Sequence, residues 1–316
     1  MDTMTSTLFS QYYPPNSAAF AQLVQRNVLN ALNEDLVGNS TNLNDFGDKT
    51  LAHLLNASRD ITAFLIPAGK QVTATIITRE EAIVCGLDWV NACFKQLDQN
   101  INLKWLINEG EKVSANQLLC EINGNARAIL SAERTALNFL QSLSAVATVT
   151  RQYVLAVSGT QAKILDTRKT IPGLRLAQKY AVTIGGGFNQ RLGLYDVILI
   201  KENHIAAAGS IDAALQFALK HNQHHQVQIE VENINQLKQA LDAKAVNILL
   251  DNFGIGELRK AVQVNQKSYG GQGVLEASGG VDLSSARAIA LTGVHRISVG
   301  SLTKNVRALD LSLKLK

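Results

Sequence analysis

Residues 197–201 read Val-Ile-Leu-Ile-Lys, residues 227–231 Val-Gln-Ile-Glu-Val and residues 247–251 Asn-Ile-Leu-Leu-Asp. Each is a short aliphatic, β-branched run, and each carries a chargeable residue at or near its end: Lys201, Glu230 and Asp251. Runs of this length and composition predict buried strands. The pattern recurs on both sides, at Lys163-Ile-Leu-Asp166, Val274-Leu-Glu-Ala277 and Arg296-Ile-Ser-Val-Gly300. Amphipathic helical stretches at 211–221, 234–243, 255–264 and 284–291 separate the runs. Alternating strand and helix predicts an α/β fold, a parallel sheet with helices outside it. From Lys201 through Glu230, Asp251, Ser278 and Gly300 the spacings are 29, 21, 27 and 22 residues, each about one βα unit. In a (β/α) barrel the carboxyl ends of the strands converge on one mouth, where the active site lies. Six or seven such strands fall short of the eight of a closed barrel.

The preceding part reads as α+β. A loose tail is expected over 1–20, with Tyr12-Tyr13-Pro14-Pro15-Asn16 as a breaker cluster, then a helix from Phe20 to Leu32. A polar loop spans 38–47, and β-like runs at 72–78 and 113–122 flank a helix at 88–97. Ser131 reads as the cap of a long helix whose apolar stripe runs through Ala132, Ala136, Leu140, Leu143 and Val154.

Bulk composition narrows the function. The 316 residues carry a net charge of +4 with no basic run, which does not point to nucleic acid. No apolar stretch approaches the ~18 residues of a membrane span. No signal peptide is legible at the start, and three cysteines without metal-ligand spacing suit reduced thiols in a cytoplasmic protein.

The mouth residues suggest chemistry. Ser278-Gly279-Gly280 and Val299-Gly300-Ser301 follow the last two strands, where backbone N–H groups can approach a phosphate. Glu230 and Asp251 suit Mg²⁺ held by carboxylates and substrate phosphates, or alternatively an ion pair with Lys201 and a helix cap. Arg168, Lys169 and Arg191, the last on the Gly185-Gly186-Gly187 loop, form a cationic set matched to carboxylates. Arg134, three residues past the expected cap, opposes the helix dipole unless an anion binds there. His204 reads as a structural, hydrogen-bonded residue, and His221, His224 and His225 as solvated. A Schiff-base aldolase built on Lys201 is a separate reading, but it has no need of three arginines.

Several ordered motifs together resemble the quinolinate phosphoribosyltransferase family. They are Ser131-Ala-Glu-Arg-Thr-Ala-Leu-Asn138, Asp166-Thr-Arg-Lys-Thr-Ile-Pro-Gly173, Gly185-Gly-Gly-Phe-Asn-Gln-Arg-Leu-Gly193, Leu199-Ile-Lys-Glu-Asn-His204, Ile229-Glu-Val-Glu232, Leu249-Leu-Asp-Asn252, Glu276-Ala-Ser-Gly-Gly280 and Ile297-Ser-Val-Gly300. The resemblance implies an N-terminal α/β sandwich domain (1–135), an open, incomplete α/β barrel (136–303) and a C-terminal segment (304–316) packing back on the first domain. It implies conversion of quinolinate and phosphoribosyl pyrophosphate, with Mg²⁺, to nicotinate mononucleotide, pyrophosphate and CO₂ by a homodimer or larger assembly. Arg134 (from the neighbouring subunit), Arg168, Lys169, Gln190 and Arg191 would meet the substrate carboxylates, with Arg79 also reaching across. Lys201, Glu230 and Asp251 would serve ribose, pyrophosphate and metal, making them with Lys169 the catalytic set. Ser278, Gly279, Gly280, Val299, Gly300 and Ser301 would take the 5′-phosphate. The chain departs from the family where Gln190 and Lys304 replace histidines and where the segment after Leu36 is longer. Gln190 motivates a second reading, a paralogue using another pyridine. A binding protein without turnover would be expected to lack Lys201, Glu230 or Asp251, and all three are present.

Overall fold

The computed structural model describes residues 8–37, 57–221 and 226–316. The polar loop expected at 38–47, His224 and His225 lie outside the described residues, as does the side chain of His221. The chain divides into two compact units, one of Tyr12–Thr148, Pro172–Gly185 and Val306–Lys316, the other of Val149–Ile171, Gly186–Asn305 and residues 8–11.

The first unit holds a four-stranded antiparallel sheet. Strands are numbered along the chain: β1 is Gln71–Thr78, β3 Asn102–Trp105, β5 Leu118–Asn125 and β12 Leu311–Leu315, in the spatial order β12-β1-β5-β3. Two-residue strands β2 (Ala82–Ile83) and β4 (Lys112–Val113) pair separately. Three helices, Ala18–Leu36, Leu87–Leu97 and Arg175–Ile184, meet through Phe20, Trp89 and Tyr180, whose ring centroids lie 5.2–5.6 Å apart. The Trp89 indole, fully buried, donates to Asn27 Oδ1 at 3.2 Å, which satisfies its one polar atom. The tail expected over 1–20 is helical from Leu8 to Tyr12, where Phe9 is buried, and Ser17 caps the helix that follows.

The long helix runs Ala126–Ala156, beginning five residues before the expected cap. Asn125 is the residue that starts it, its Oδ1 accepting from the Arg127 and Ala128 amides at 3.0 and 3.3 Å. Ser131 is interior, and its hydroxyl donates to Asp60 Oδ2 at 2.8 Å. The division at Thr148/Val149 falls inside this helix, as does the boundary expected at 135/136.

The second unit is a six-stranded parallel sheet in the order β6-β11-β10-β9-β8-β7, with β6 Lys163–Leu165, β7 Val197–Ile200, β8 Gln226–Val231, β9 Asn247–Asp251, β10 Val274–Ser278 and β11 Arg296–Ser298. Strands β7 to β11 lie side by side in chain order, joined by helices, and β6 pairs beyond β11. β6 and β7 are the two ends of the order and do not pair, so the barrel is open. Along the free edge of β6 runs the glycine-rich segment, with the Phe188 amide donating to the Ile164 carbonyl at 2.8 Å and the Asp166 amide to the Phe188 carbonyl at 3.1 Å. This pairing places Gln190 and Arg191 at the gap.

Candidate active site

Side chains alternate across a strand, so residues two apart share the inner face. Leu199 and Lys201, Leu249 and Asp251, and Ser278 and Ser298 with Glu230 accordingly line one cavity of about 550 Å³ at the carboxyl ends of the strands. Arg168, Lys169, Gln190, Arg191, Gly279 and Gly280 complete most of its wall. Ten of the predicted site residues are thus brought together.

One side of the cavity is cationic. Arg191 is buried, and that burial, with repulsion from Arg168 next in weight, lowers its pKa, while Asp196 and Glu230 act the other way. Arg168 Nε is buried without a hydrogen-bond partner among the described residues. An unmatched buried donor on a charged group is costly, and an anion lying between the two guanidiniums would remove both costs. The supporting loops are tied down: Thr167 Oγ1 accepts from the Lys169 amide at 3.1 Å, and Thr303 donates to the Lys169 carbonyl at 2.7 Å. Buried Asp166 accepts from the Gln190 amide at 3.0 Å and from Asn189 Nδ2 at 2.6 Å, and Asp196 accepts from the Leu192 and Gly193 amides. Two carboxylates therefore hold the segment bearing Arg191 at both of its ends.

The other side is mixed in sign. Lys201 Nζ donates to Glu230 Oε2 at 2.8 Å. Asp251 accepts from Asn252 Nδ2 at 2.8 Å, and its pKa is raised, first by burial and then by Glu230, against the pull of Lys201 and Lys169. The two carboxylates repel each other, and that repulsion suits a bound cation. Among the described residues no group of three or more His, Cys, Asp or Glu side chains could hold a metal by itself. Two carboxylates open to substrate oxygens nonetheless fit Mg²⁺, which typically keeps few protein ligands.

The Ser278–Gly280 turn requires glycine. Gly279 has φ +106°, and a Cβ there would press on the side chain and backbone of Asn252, itself left-handed at φ 58°. Val299, Gly300 and Ser301 are not among the residues lining the cavity; the Val299 side chain is buried and its amide donates to the Leu165 carbonyl at 2.9 Å. That amide is therefore already committed.

Arg134 is exposed in the middle of its helix, so the expected conflict with an N-terminal dipole does not arise. Arg79 donates to Asn116 Oδ1 at 3.3 Å and Ser312 Oγ at 3.1 Å. His204 Nδ1 accepts from the Lys201 amide at 3.0 Å, a structural role. Cys85, Cys93 and Cys120 are buried and unbridged. Sequence reading missed Thr167, Asn252 and Ser298 in the wall, Thr303 behind it, and a polar layer beneath it. In that layer Gln190 Nε2 donates to Gln228 Oε1 at 2.9 Å, Gln228 Nε2 donates to Glu276 Oε2 at 2.8 Å, and Ser298 bonds Glu276 Oε1. The available signal was polar residues inside strands of a parallel sheet, which are ordinarily near-continuous apolar runs.

Comparison with known proteins agrees with this architecture along most of the chain. Residues 60–144 match the family described as quinolinate phosphoribosyl transferase, N-terminal domain, and residues 146–314 match its C-terminal domain. The nicotinate-nucleotide pyrophosphorylase (carboxylating) of Mycobacterium leprae is 41% identical over 259 residues, spanning 80% of this chain and 90% of that protein. A quinolinate phosphoribosyltransferase (decarboxylating) of Nicotiana tabacum, named as mitochondrial, is 37% identical over 269 residues, 79% of this chain and 75% of that one. The solved nicotinate-nucleotide pyrophosphorylase of Francisella tularensis superposes with a TM-score of 0.83 at 46% identity, covering 94% of this chain and 97% of that one. Because both domains of that family are matched over residues 60–144 and 146–314, and relatives of about 40% identity span most of its length, this chain belongs to the quinolinate phosphoribosyl transferase family.

Proposed function

We propose that the chain transfers a phosphoribosyl group from phosphoribosyl pyrophosphate to quinolinate, giving nicotinate mononucleotide, pyrophosphate and CO₂, in the synthesis of NAD. The observation that carries this is the pair of buried Arg191 and half-buried Arg168, which repel each other and leave Arg168 Nε unmatched, in one cavity with Lys201, Glu230 and Asp251. A pyridine with two adjacent carboxylates supplies the charge the pair lacks. Arg168, Lys169 and Arg191 hold those carboxylates, and Gln190 borders them.

The ring nitrogen attacks the anomeric carbon as pyrophosphate leaves, through an oxocarbenium-like state that needs positioning and charge balance rather than a protein nucleophile. Glu230 and Asp251 supply negative charge beside the ribose, and Lys201 steadies Glu230 and the departing phosphates. The Ser278–Gly280 turn receives the 5′-phosphate with the Gly300–Ser301 turn beyond it. Mg²⁺, held by Glu230 and Asp251 directly or through water, would supply charge neutralisation of the pyrophosphate. Once the ring is glycosylated, the neighbouring carboxylate leaves as CO₂, its electron pair stays on the ring carbon, and a proton replaces it there.

The working form is a homodimer or larger, in which exposed Arg134, and Arg79 as well, reach the partner's cavity. Free, buried cysteines suit the cytoplasm; no helix among the described residues is long and apolar enough to cross a membrane.

The test is a product assay with phosphoribosyl pyrophosphate, Mg²⁺ and, separately, quinolinate, nicotinate or nicotinamide. Nicotinate mononucleotide and CO₂ from quinolinate alone are expected. Turnover of only the monoacid or the amide would overturn the substrate and make the Gln190 paralogue the better reading. For the assembly, mixed Arg134→Ala and Arg168→Ala chains should regain about a quarter of native activity, because half of random dimers carry one intact site.

A further inference from the structure

Beneath the cavity lies a hydrogen-bond chain that the reaction above does not use. Glu276 and Gln228 are fully buried on the inner faces of β10 and β8, and Gln190, nearly buried, borders the cavity. We propose that Glu276 and Gln228 are specificity-determining positioning residues, which lock the side-chain amide of Gln190 in one of its two orientations and so set how the site meets a pyridine carboxylate. The inference rests on the proposed reaction for the identity of that substrate.

The polarity of the chain follows from its far end. Glu276 Oε2 accepts from Gln228 Nε2 at 2.8 Å. A carboxylate can only accept. Burial raises the pKa of Glu276, with Asp166 adding to the shift, and the Ser298 and Gln228 bonds oppose it. Both bonds favour the ionised carboxylate, and in that form Oε2 accepts and fixes the direction. Gln228 must then turn its nitrogen to Glu276 and its oxygen to Gln190. That oxygen accepts from Gln190 Nε2 at 2.9 Å, which fixes the Gln190 nitrogen on this side and its oxygen on the other. A flipped Gln190 would set oxygen against oxygen in a buried layer and exchange donor for acceptor beside Arg168 and Arg191. A histidine, usual at this place in the family, can carry charge; an amide cannot, so its orientation is the property left to control. Asp166 fixes the Gln190 backbone independently, through its amide, so the chain acts on the side chain alone.

Epistasis tests the idea. Glu276→Met removes the acceptor that directs Gln228. Gln228→Glu makes position 228 acceptor-only and so directs Gln190 without help from residue 276. Glu276→Met should raise the KM for quinolinate about tenfold, the worth of one buried hydrogen bond, with the KM for phosphoribosyl pyrophosphate unchanged. The double variant Glu276→Met/Gln228→Glu should return it to within about threefold of native. A residue that merely fills space is not rescued by moving its charge to the next strand but one. In parallel, the ¹⁵N–¹H signal of the Gln190 side chain, read with selectively labelled glutamine, should show one amide state in the native chain, two in Glu276→Met and one again in the double variant. A double variant as impaired as the single, or a single variant with native KM and one amide state, would overturn the relay. The spectrum needs no turnover, so it decides the relay even if the native chain leaves quinolinate untouched, the result that would instead overturn the reaction.

Discussion

The two sides of the cavity solve the problem of charge in opposite ways. Lys201 and Glu230 neutralise each other at 2.8 Å, and their side chains keep 45% and 15% of their exposure. Buried Arg191 and half-buried Arg168 repel each other, and Arg168 Nε is buried and unmatched. A pair balanced before anything binds gains little from a charged ligand by itself, and Asp251 beside it leaves negative charge in excess, which suits a metal-bound pyrophosphate. A wall left in positive excess is completed only when an anion arrives. The difference supports the proposed roles, the arginines for the substrate acid and the Lys201, Glu230 and Asp251 set for the leaving group.

The largest effect should come from the unbalanced side. Arg168→Ala is expected to lower kcat/KM for quinolinate by about a thousandfold or more, as loss of a charge-assisted, bidentate contact does, while the melting temperature holds or rises slightly as repulsion on Arg191 is relieved. Unchanged catalytic efficiency would break the assignment.

Asp251→Asn comes next, with a fall in kcat of about a hundredfold and a gain in thermal stability. The sign follows from linkage: the folded-state pKa lies above 3.8, so ionising Asp251 costs the fold. Its stabilising contribution is full below pH 3.8 and is lost as pH rises through the raised folded value. Melting curves against pH should therefore show the Asn variant ahead at neutral pH and the two chains converging in acid. An Asn variant less stable at pH 7 would mean the carboxylate is already compensated.

A smaller effect tests the balanced side. In a double-mutant cycle, Lys201→Met and Glu230→Gln should be coupled in kcat, but by no more than about 1 kcal/mol in stability, because the Lys201 end of the pair keeps 45% of its exposure to solvent. The mildest prediction concerns salt. Raising ionic strength from about 0.05 to 0.5 M should raise the KM for quinolinate a few-fold, since the cationic wall attracts its ligand through a partly screened field. A salt-independent KM would indicate that the arginines act by contact alone.

Much of this was legible in the sequence because the barrel repeats one sentence: an aliphatic strand, a reactive residue at its end, a helix. Lys201, Glu230, Asp251 and Ser278 announce themselves by position. What escaped detection depends on partners distant in the chain. Ser131-Ala-Glu looks like a helix start, yet Ala126, Ala128 and Ile129 are buried in the same helix and Asn125 caps it. Thr303 holds the Lys169 carbonyl from 134 residues away, and no local pattern marks such a bond. Gln228 and Glu276 interrupt otherwise apolar strands, a visible sign of an inward polar layer; which of them donates to which depends on β8 and β10 flanking β9, which brings the two side chains within 2.8 Å.

The four-stranded sheet has a consequence for how the chain is made. β1, residues 71–78, has β5 on one side soon after it leaves the ribosome, but its other neighbour is β12, at 311–315, with Ala74 opposite Leu315 and Thr78 opposite Leu311. Throughout synthesis of the entire barrel, one edge of β1 is an open row of backbone donors and acceptors. Such an edge is a template for a wrong strand, and long-range pairing of this kind is slow. Translation of residues 311–315 thus closes the sheet, and a nascent chain stalled in the barrel would be a substrate for chaperones at that edge.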